Sequence, residues 1–315
     1  MKRSWFIPAV LALTVALTAC GGGKTEPAKP STPAATAVTV KDDKNEITLP
    51  KTPTKIVAIS LQAIDSLVAL GIKPVGVAEQ GAGEKIPYLG AALDGIPTIG
   101  LHSKPNLETI AALQPDLIII DPELQGEVYT ELNKIAPTLQ FRSSSVDKTM
   151  ADLKAIGKAT GKEAEANKFV ADFTAKRTAL NEKAKGKTGA KWMAIFGTPD
   201  KAGVWLPNSF VGSILEGLNA KDAYTGAPDP KYPDFAYLAL EKITQLNPEA
   251  FFLMSTPGKE ISKAWSANPA YAATSAVKNG KVFEVNRNLW SRSRGPIAAG
   301  KIMEEAFPLL YPDVK

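Results

Sequence analysis

Residues 106–119 read NLETIAALQPDLII, and residues 239–252 read ALEKITQLNPEAFF. The two stretches agree at five of fourteen positions, and both end in an apolar run. The matches are Leu107, Glu108, Ile110, Leu113 and Pro115 with Leu240, Glu241, Ile243, Leu246 and Pro248. A short amphipathic segment, a proline and an apolar run predict a helix followed by a buried strand. The chain is therefore predicted to contain the same α/β unit twice.

The sequence around the first copy predicts an N-terminal α/β lobe over residues 38–145. VTVKDDKNEITLP alternates on both sides of a polar turn, which predicts a hairpin at its start. Strand patterns such as KIVAIS (55–60) and TLQF (138–141) then alternate with helix patterns. Such alternation indicates a mostly parallel sheet that is covered by helices.

The middle of the chain, residues 146–190, lacks a strand pattern and is predicted to be a helical linker. One apolar stripe among charged residues predicts a helix over about 162–185, roughly 36 Å long. The stripe consists of Ala166, Phe169, Val170, Phe173 and Leu180. Strand and helix patterns resume in residues 191–315, which predicts two Rossmann-like lobes joined by a long rigid helix.

The N-terminus has the pattern of a targeting segment. Lys2 and Arg3 precede an apolar run that ends in LTAC at residues 17–20, which resembles the lipobox of bacterial lipoproteins. That resemblance implies that residues 1–19 are removed and that Cys20, the only cysteine, carries a lipid. Residues 20–37 are then a Gly/Pro/Thr-rich tether. The alternative is an ordinary signal peptide with a chance cysteine.

The composition excludes several function classes. The net charge is +5 without a basic block, which argues against a nucleic-acid partner. His102 is the only histidine, so a zinc site built from several histidines is excluded. Any Ser-His-Asp triad would have to use His102.

The most pointed binding pattern is NLWSRSRGPIAAG at residues 288–300. Arg292 and Arg294 lie two apart beside Trp290, so in extended backbone the two guanidiniums face one side. Arginine binds carboxylates bidentately, which predicts a site for anionic, oxygen-rich molecules. Two surface arginines beside a half-buried tryptophan are the alternative. Arg142 and His102 each follow a predicted strand, at the edge where α/β sheets bind ligands; a solvated loop histidine is the alternative for His102.

These features together resemble the substrate-binding lipoproteins of ABC importers for ferric siderophores, with the ferric-dicitrate branch the closest. The most specific segments are PTKIVAIS, IGLHSKPNLETIAALQPDLIIID, NKIAPTL, WSANPAY and VFEVNRNLWSRSRGPIAA. The resemblance implies the siderophore/cobalamin-type binding-protein fold, a small closure on binding, and no enzymatic activity or cofactor. The ligand would be an iron(III)–siderophore complex.

The resemblance also implies roles for individual residues. The carboxylates of ferric citrate would lie against three arginines, while four other side chains shape the walls. The arginines are Arg142, Arg292 and Arg294, and the wall residues are Gln62, His102, Trp205 and Trp290. Glu108 and Glu241 would meet arginines of a membrane permease that works with an ATPase. The alternative is that both glutamates merely favour the first turn of a helix.

The expected protein is a monomer outside the cytoplasm, anchored to the membrane through Cys20, on a Gram-positive surface rather than in a periplasm. Two alternatives stay open at this point. One is a haem or cobalamin receptor of the same fold with His102 as an axial ligand. The other is a lipid-anchored α/β hydrolase in which His102 supplies the imidazole.

Overall fold

The computed structural model describes residues 37–314. The expected signal peptide, Cys20 and nearly all of the tether lie outside these residues. No helix within residues 37–314 is long and apolar enough to cross a membrane.

The N-terminal lobe is built on a six-stranded sheet with the strand order β6-β5-β4-β3-β7-β8. Its elements are β1 (Val38–Lys41), β2 (Glu46–Leu49), β3 (Ile56–Ala58), α1 (Leu61–Ala69), β4 (Gly76–Glu79), β5 (Thr98–Leu101), β6 (Lys104–Pro105), α2 (Leu107–Ala112), β7 (Leu117–Ile120), α3 (Tyr129–Ile135) and β8 (Thr138–Gln140). Strands β3, β4, β5, β7 and β8 are parallel, and only β6 runs antiparallel. The predicted hairpin is present as β1 and β2, which form a separate sheet.

Two helices, not one, connect the lobes: α4 (Val146–Thr160) and α5 (Glu163–Lys183). Helix α5 is the helix that the apolar stripe predicts, whereas α4 was not predicted as a separate helix. Helix α4 ends at Gly161, whose φ of 68° is left-handed. A Cβ on Gly157 would lie 2.7 Å from the Cβ of Ala166, so a glycine is required where the two helices meet.

Both connecting helices belong to the cores of both lobes. In α4, Val146 and Met150 pack into the core of the C-terminal lobe, whereas Leu153 and Ile156 pack into the core of the N-terminal lobe. Because each helix buries apolar side chains in two cores, bending the linker would expose apolar surface on both sides. This packing supports the expectation that the lobes close only slightly.

The C-terminal lobe has a five-stranded sheet with the order β11-β10-β9-β12-β13. Its elements are β9 (Trp192–Thr198), β10 (Lys201–Trp205), α6 (Phe210–Glu216), β11 (Phe235–Tyr237), α7 (Leu240–Leu246), β12 (Ala250–Ser255), α8 (Ile261–Trp265), α9 (Pro269–Ala272), α10 (Ser275–Lys278), β13 (Val282–Glu284) and α11 (Pro296–Leu310). Strands β9, β12 and β13 are parallel. Strand β10 pairs with β9 antiparallel, because only Pro199 and Asp200 connect them.

The sequence repeat is a structural repeat. Helix α2 precedes β7, which lies between β3 and β8, and helix α7 precedes β12, which lies between β9 and β13. Ile110 and Ile243 are both fully buried at the matching position of each helix. Gln114 and Asn247, also matching, both adopt left-handed backbone with φ of 48° and 46°. The predicted helix and strand are therefore confirmed in both copies.

Candidate ligand-binding cleft

A cleft of about 250 Å³, partly open to solvent, lies between the two lobes. This volume is slightly below the usual range of small-molecule sites, about 300–1,000 Å³. The N-terminal lobe lines it with Ser60, Leu61, Gln62, His102, Asp121, Glu123, Leu124, Arg142 and Ser143, and the C-terminal lobe with Tyr232, Asp234, Phe235, Ser291, Arg292, Ser293 and Arg294. The lining residues of the N-terminal lobe follow the carboxyl ends of β3, β5, β7 and β8, the edge at which parallel sheets bind ligands.

A buried aspartate joins two of the predicted arginines across the cleft. Asp234 is 2% exposed, and its Oδ2 accepts hydrogen bonds from Arg294 Nη1 at 3.2 Å and Arg142 Nη2 at 3.4 Å. Arg142 belongs to the N-terminal lobe, whereas Arg294 and Asp234 belong to the C-terminal lobe. Charge-assisted bonds of this kind fix the guanidiniums in place and offset part of the cost of burying the charges.

The orientation of Arg294 is set by a left-handed backbone conformation and by a contact of its guanidinium with an aromatic ring. Its φ of 50° is left-handed, and its guanidinium lies 5.0 Å from the ring centre of Trp205. Trp205 itself is buried among Phe196 and Phe235. Trp205 therefore supports Arg294 from behind by a cation–π contact and does not line the cleft, contrary to its expected place in the wall.

Arg292 is the guanidinium most available to a ligand. It is exposed at the cleft, and it forms no ion pair with any carboxylate of residues 37–314. Burial lowers the pKa of the nearby His102, and the positive charge of Arg292 lowers it further. His102 is therefore neutral near pH 7, and Arg292 supplies the positive charge on this side.

Acidic side chains share the cleft with the arginines. Glu123 forms an ion pair with Arg142, and Asp121 follows β7 directly. Burial raises the pKa of Asp121, and the charges of Arg294 and Arg142 oppose that shift. With Asp234, the lining carries three carboxyl groups and three guanidiniums. The sequence pattern indicates only the arginines of this arrangement, not its carboxyl groups.

Four lining residues carry a buried polar atom without a hydrogen-bond partner in the described part of the chain. These atoms are Gln62 Oε1, His102 Nδ1, Ser143 Oγ and Asp234 Oδ1. Buried polar atoms in native proteins nearly always have a partner, supplied by protein or by bound molecules. Their grouping around one cleft indicates that a polar ligand or water completes their hydrogen bonds.

Trp290 does not line the cleft. It is fully buried, its ring stacks on Phe252 at 5.1 Å, and its Nε1 donates to Glu305 at 2.8 Å. The backbone of Asn288–Ser293 forms a π-helical turn, so the expected extended stretch around Arg292 and Arg294 is wrong. The turn directs Trp290 into the core of the lobe, while Arg292 and Arg294 reach the cleft.

Several lining residues were not predicted from the sequence. Asp121 carried a usable signal, since it directly follows an apolar strand in the same way as His102 follows β5. Tyr232, Asp234 and Phe235 lie between α6 and β11, in a segment without regular periodicity. Gln125 also went unnoticed; it accepts from Asp121 N at 2.7 Å and donates to His102 O at 2.7 Å, which joins two loops of the cleft edge.

Residues 56–289 match the model of the periplasmic binding protein family. The chain belongs to this family. Members of the family that resemble this chain are substrate-binding proteins of ABC importers, so this protein is a binding protein and not an enzyme, and the hydrolase alternative is wrong.

Two curated relatives and one solved structure show the closeness of the match. The chain is 32% identical to the Fe(3+)-citrate-binding protein YfmC of Bacillus subtilis, over 81% of this chain and 80% of the relative. It is 30% identical to the Fe(3+) dicitrate-binding periplasmic protein FecB of Escherichia coli, over 88% and 91%. The crystal structure of the petrobactin-binding protein YclQ of Bacillus subtilis superposes with a TM-score of 0.77 at 25% identity, covering 88% of this chain and 99% of that one. The two-lobed fold is thereby established.

Proposed function

We propose that this protein is an extracytoplasmic, lipid-anchored receptor that binds a ferric siderophore, with ferric citrate favoured, and delivers it to an ABC permease. The observation that carries the proposal is the convergence of Arg142, Arg292 and Arg294 on one cleft, with Arg292 free of any carboxylate in the described chain. The relatives named for ferric citrate binding support the choice of ligand.

The chemistry of the cleft suits a carboxylate-rich iron complex. Iron(III) arrives already wrapped in citrate oxygens, so the protein recognises the outer carboxylates through charge-assisted hydrogen bonds. Burial raises the pKa of Asp121, which lowers the cost of protonating this carboxyl group beside an anionic ligand. Glu123 forms an ion pair with Arg142 and so competes with the ligand for this guanidinium. Ligand binding would displace the Glu123 side chain into the solvent.

Tryptophan-quenching titrations with ferric citrate, a ferric hydroxamate and a ferric catecholate test the ligand. We expect ferric citrate to quench at micromolar concentration or below, since Trp205 lies directly behind Arg294. Quenching by another siderophore while ferric citrate fails would refute the citrate assignment. A Soret shift on addition of haem, lost in a His102→Ala variant, would favour the haem receptor instead.

Docking to the permease is assigned to the two repeated glutamates. Glu108 and Glu241 are exposed in the first turns of α2 and α7. Helices α2 and α7 hold equivalent places in the two repeats, so the two lobes present their glutamates at equivalent helix ends. Two like charges at a fixed separation give orientation and encounter rate to a complex with a positively charged surface. The partners would be the permease and, through it, its ATPase.

Anchoring is assigned to Cys20 from its lipobox-like sequence. Metabolic labelling with palmitate should mark the wild-type protein and not Cys20→Ala, which should also appear in the medium or soluble envelope fraction. An unlabelled wild-type protein would refute lipidation and leave the ordinary signal peptide.

A further inference from the structure

A buried carboxylate joins the two lobes behind the cleft. Asp65 lies on α1 of the N-terminal lobe and is fully buried. Its Oδ1 accepts from Ile297 N at 2.7 Å, and its Oδ2 accepts from Ala298 N at 3.0 Å. Both amides belong to the first turn of α11 in the C-terminal lobe. Tyr88 adds a third bond, because its hydroxyl donates to Asp65 Oδ2 at 2.5 Å.

Among the described residues of the C-terminal lobe, no side chain caps the first turn of α11. Its N-cap residue is Gly295, which has no side chain to accept from the free amides of the first turn. A Cβ on Gly295 would lie 2.2 Å from Asp65 Cγ, so glycine lets the carboxylate approach the helix end. Asp65 therefore caps α11 from the opposite lobe, and its negative charge suits the positive end of the helix dipole.

Asp65 stands between the two walls of the cleft. Helix α1, which carries it, begins at Leu61 and Gln62 in one wall. Helix α11, which it caps, is preceded directly by Arg292 and Arg294 in the other wall. The positions of α1 and of the arginine-bearing segment are thus tied through one carboxylate.

Two weaker contacts hold the same arginine-bearing segment. Gln80, directly after β4, donates its Nε2 to Asn288 O at 3.3 Å, and Thr149 Oγ1 of α4 donates to Arg294 O at 3.4 Å. Both come from outside the C-terminal lobe. The two bonds from Asp65 to the first turn of α11, at 2.7 and 3.0 Å, are shorter than either of these contacts.

We propose that Asp65 is a positioning residue for ligand recognition: by capping α11 across the lobe interface, it sets the distance between the arginines at residues 292 and 294 and the opposite wall. The proposal rests on the proposed function, since it specifies how that site is held together. It assigns Asp65 no direct contact with the ligand.

The protonation state of Asp65 offers a second way to test the contact between Asp65 and the first turn of α11. Burial raises its pKa to about 6, although Tyr88, the two amides of α11 and the charge of Lys301 favour the ionised form. The groups that face it are Tyr88 from the 3-10 segment Pro87–Leu93 and Lys301 from α11. The carboxylate is ionised at pH 7.5, and below about pH 6 it gains a proton and loses one acceptor position.

The test compares Asp65→Asn and Tyr88→Phe with Asp222→Asn. Asp222 serves as a control because it is also buried and accepts the backbone amide of Tyr224 at 2.8 Å, yet it lies away from the first turn of α11. Burial raises its pKa to about 8, so this variant controls for the loss of a buried carboxyl group rather than for the loss of a charge. At pH 7.5 we expect Asp65→Asn to weaken ferric citrate binding about tenfold and Tyr88→Phe about threefold, in line with the loss of charged and neutral hydrogen bonds. Asp222→Asn should stay within about twofold.

Two further readouts separate positioning from general destabilisation. Amide exchange in Asp65→Asn should quicken selectively in residues 288–300, and not in α3, which packs in a separate core cluster. The ratio of wild-type to Asp65→Asn affinity should fall toward one as the pH drops from 7.5 to 5, because the wild-type carboxylate is then protonated. The ratio cancels the pH dependence of the ligand itself.

An unchanged affinity in Asp65→Asn at pH 7.5 would overturn the proposal, as would a loss matched by Asp222→Asn or exchange that quickens uniformly over the chain. If the wild-type protein binds none of the ferric siderophores, the proposed function fails. The exchange readout needs no ligand, so it still decides whether Asp65 holds the arginine-bearing segment.

Discussion

The helix–strand repeats of the two lobes share their fold, five of fourteen residues and a left-handed residue at the same position, whereas the edges that those lobes turn toward the cleft differ. In the repeats, Asp116 Oδ1 accepts from Lys55 N and Glu249 Oε2 accepts from Lys191 N, each at 2.8 Å. At the cleft, one lobe presents Gln62, His102, Asp121, Glu123 and Arg142, and the other presents aromatic side chains, Asp234 and two arginines.

The difference reflects two separate constraints on the fold, which are packing within each lobe and contact with the ligand. Each copy of the α/β unit packs its helix against its strand in the same way, so each needs the same buried isoleucine. Each also needs an acidic side chain before the strand that accepts a backbone amide next to the neighbouring strand. A ligand between the lobes meets each wall with different atoms, so its side chains are free to diverge. Exposed features that stay equal in both lobes, such as Glu108 and Glu241, therefore point to a partner that contacts both lobes in a similar way.

Reversing both repeated charges should have the largest effect, and it is measured on iron uptake. It is also the most direct test of whether Glu108 and Glu241 contact a partner. Glu108→Arg with Glu241→Arg should reduce iron uptake to the level of cells without the protein, because like charges across an interface cost several kcal/mol. Ferric citrate affinity should change by less than about twofold, because neither residue lines the cleft.

The matched control reverses the same number of charges elsewhere. Glu131 and Glu163 are exposed and also lie in the first turns of helices, α3 and α5. Glu131→Arg with Glu163→Arg should keep normal uptake. Equal loss in both double variants would mean that net charge matters rather than the repeat, and normal uptake in the first would refute the docking role.

The next largest effect concerns the two arginines of the cleft. Arg292→Ala should weaken ferric citrate binding about 10- to 100-fold, as expected for a lost charge-assisted bond, with little change in melting temperature. Arg294→Ala should lower affinity similarly and also the melting temperature, because buried Asp234 loses one of its two arginines. Isothermal titration and thermal unfolding separate the two.

Arg177→Ala is the control for this pair, since Arg177 lies on α5 outside the cleft and contacts Asp147 only at 3.7 Å. It should leave both quantities near the wild-type values. If Arg292→Ala binds ferric citrate normally, the anionic ligand is not held at the position proposed.

The fold was largely predictable because its signals are local. Apolar runs and stripes gave the repeats, the hairpin and α5. Helix α4 was also predictable in principle, since Val146, Met150, Leu153 and Ile156 recur at helical spacing between Ser145, which caps it, and Gly161.

The cleft was predictable only in part, because its geometry depends on irregular backbone. The π-helical turn that buries Trp290 and the left-handed Arg294 leave no periodic trace in the sequence. Asp234 reaches Arg142 from a different lobe across 92 residues of sequence. Asp65 likewise caps a helix that starts more than 200 residues later, and no local sequence pattern predicts such a contact.

Glu123→Gln is a smaller effect that works in the opposite direction. The ion pair with Arg142 is exposed on the Glu123 side, so its loss should cost at most about 1 kcal/mol of stability. Removing this competing carboxylate should strengthen ferric citrate binding by about twofold to fivefold. Glu127→Gln makes the same charge change on an exposed residue outside the cleft and should have no effect. Weaker binding in Glu123→Gln would show that Glu123 contacts the ligand itself.

The smallest effect tests the repeat by a difference in chemistry between its copies. Gln114 and Asn247 hold the same left-handed backbone, but a glutamine pays a steric cost of roughly 1 kcal/mol there, whereas asparagine is tolerated. Gln114→Gly should therefore raise the free energy of unfolding by about 0.5 kcal/mol, after the entropy cost of glycine. Asn247→Gly should be neutral or slightly destabilising, with ligand affinity unchanged in both. Urea unfolding with unchanged m-values measures this difference, and equal shifts in the two variants would mean that the backbone at these positions is not equivalent.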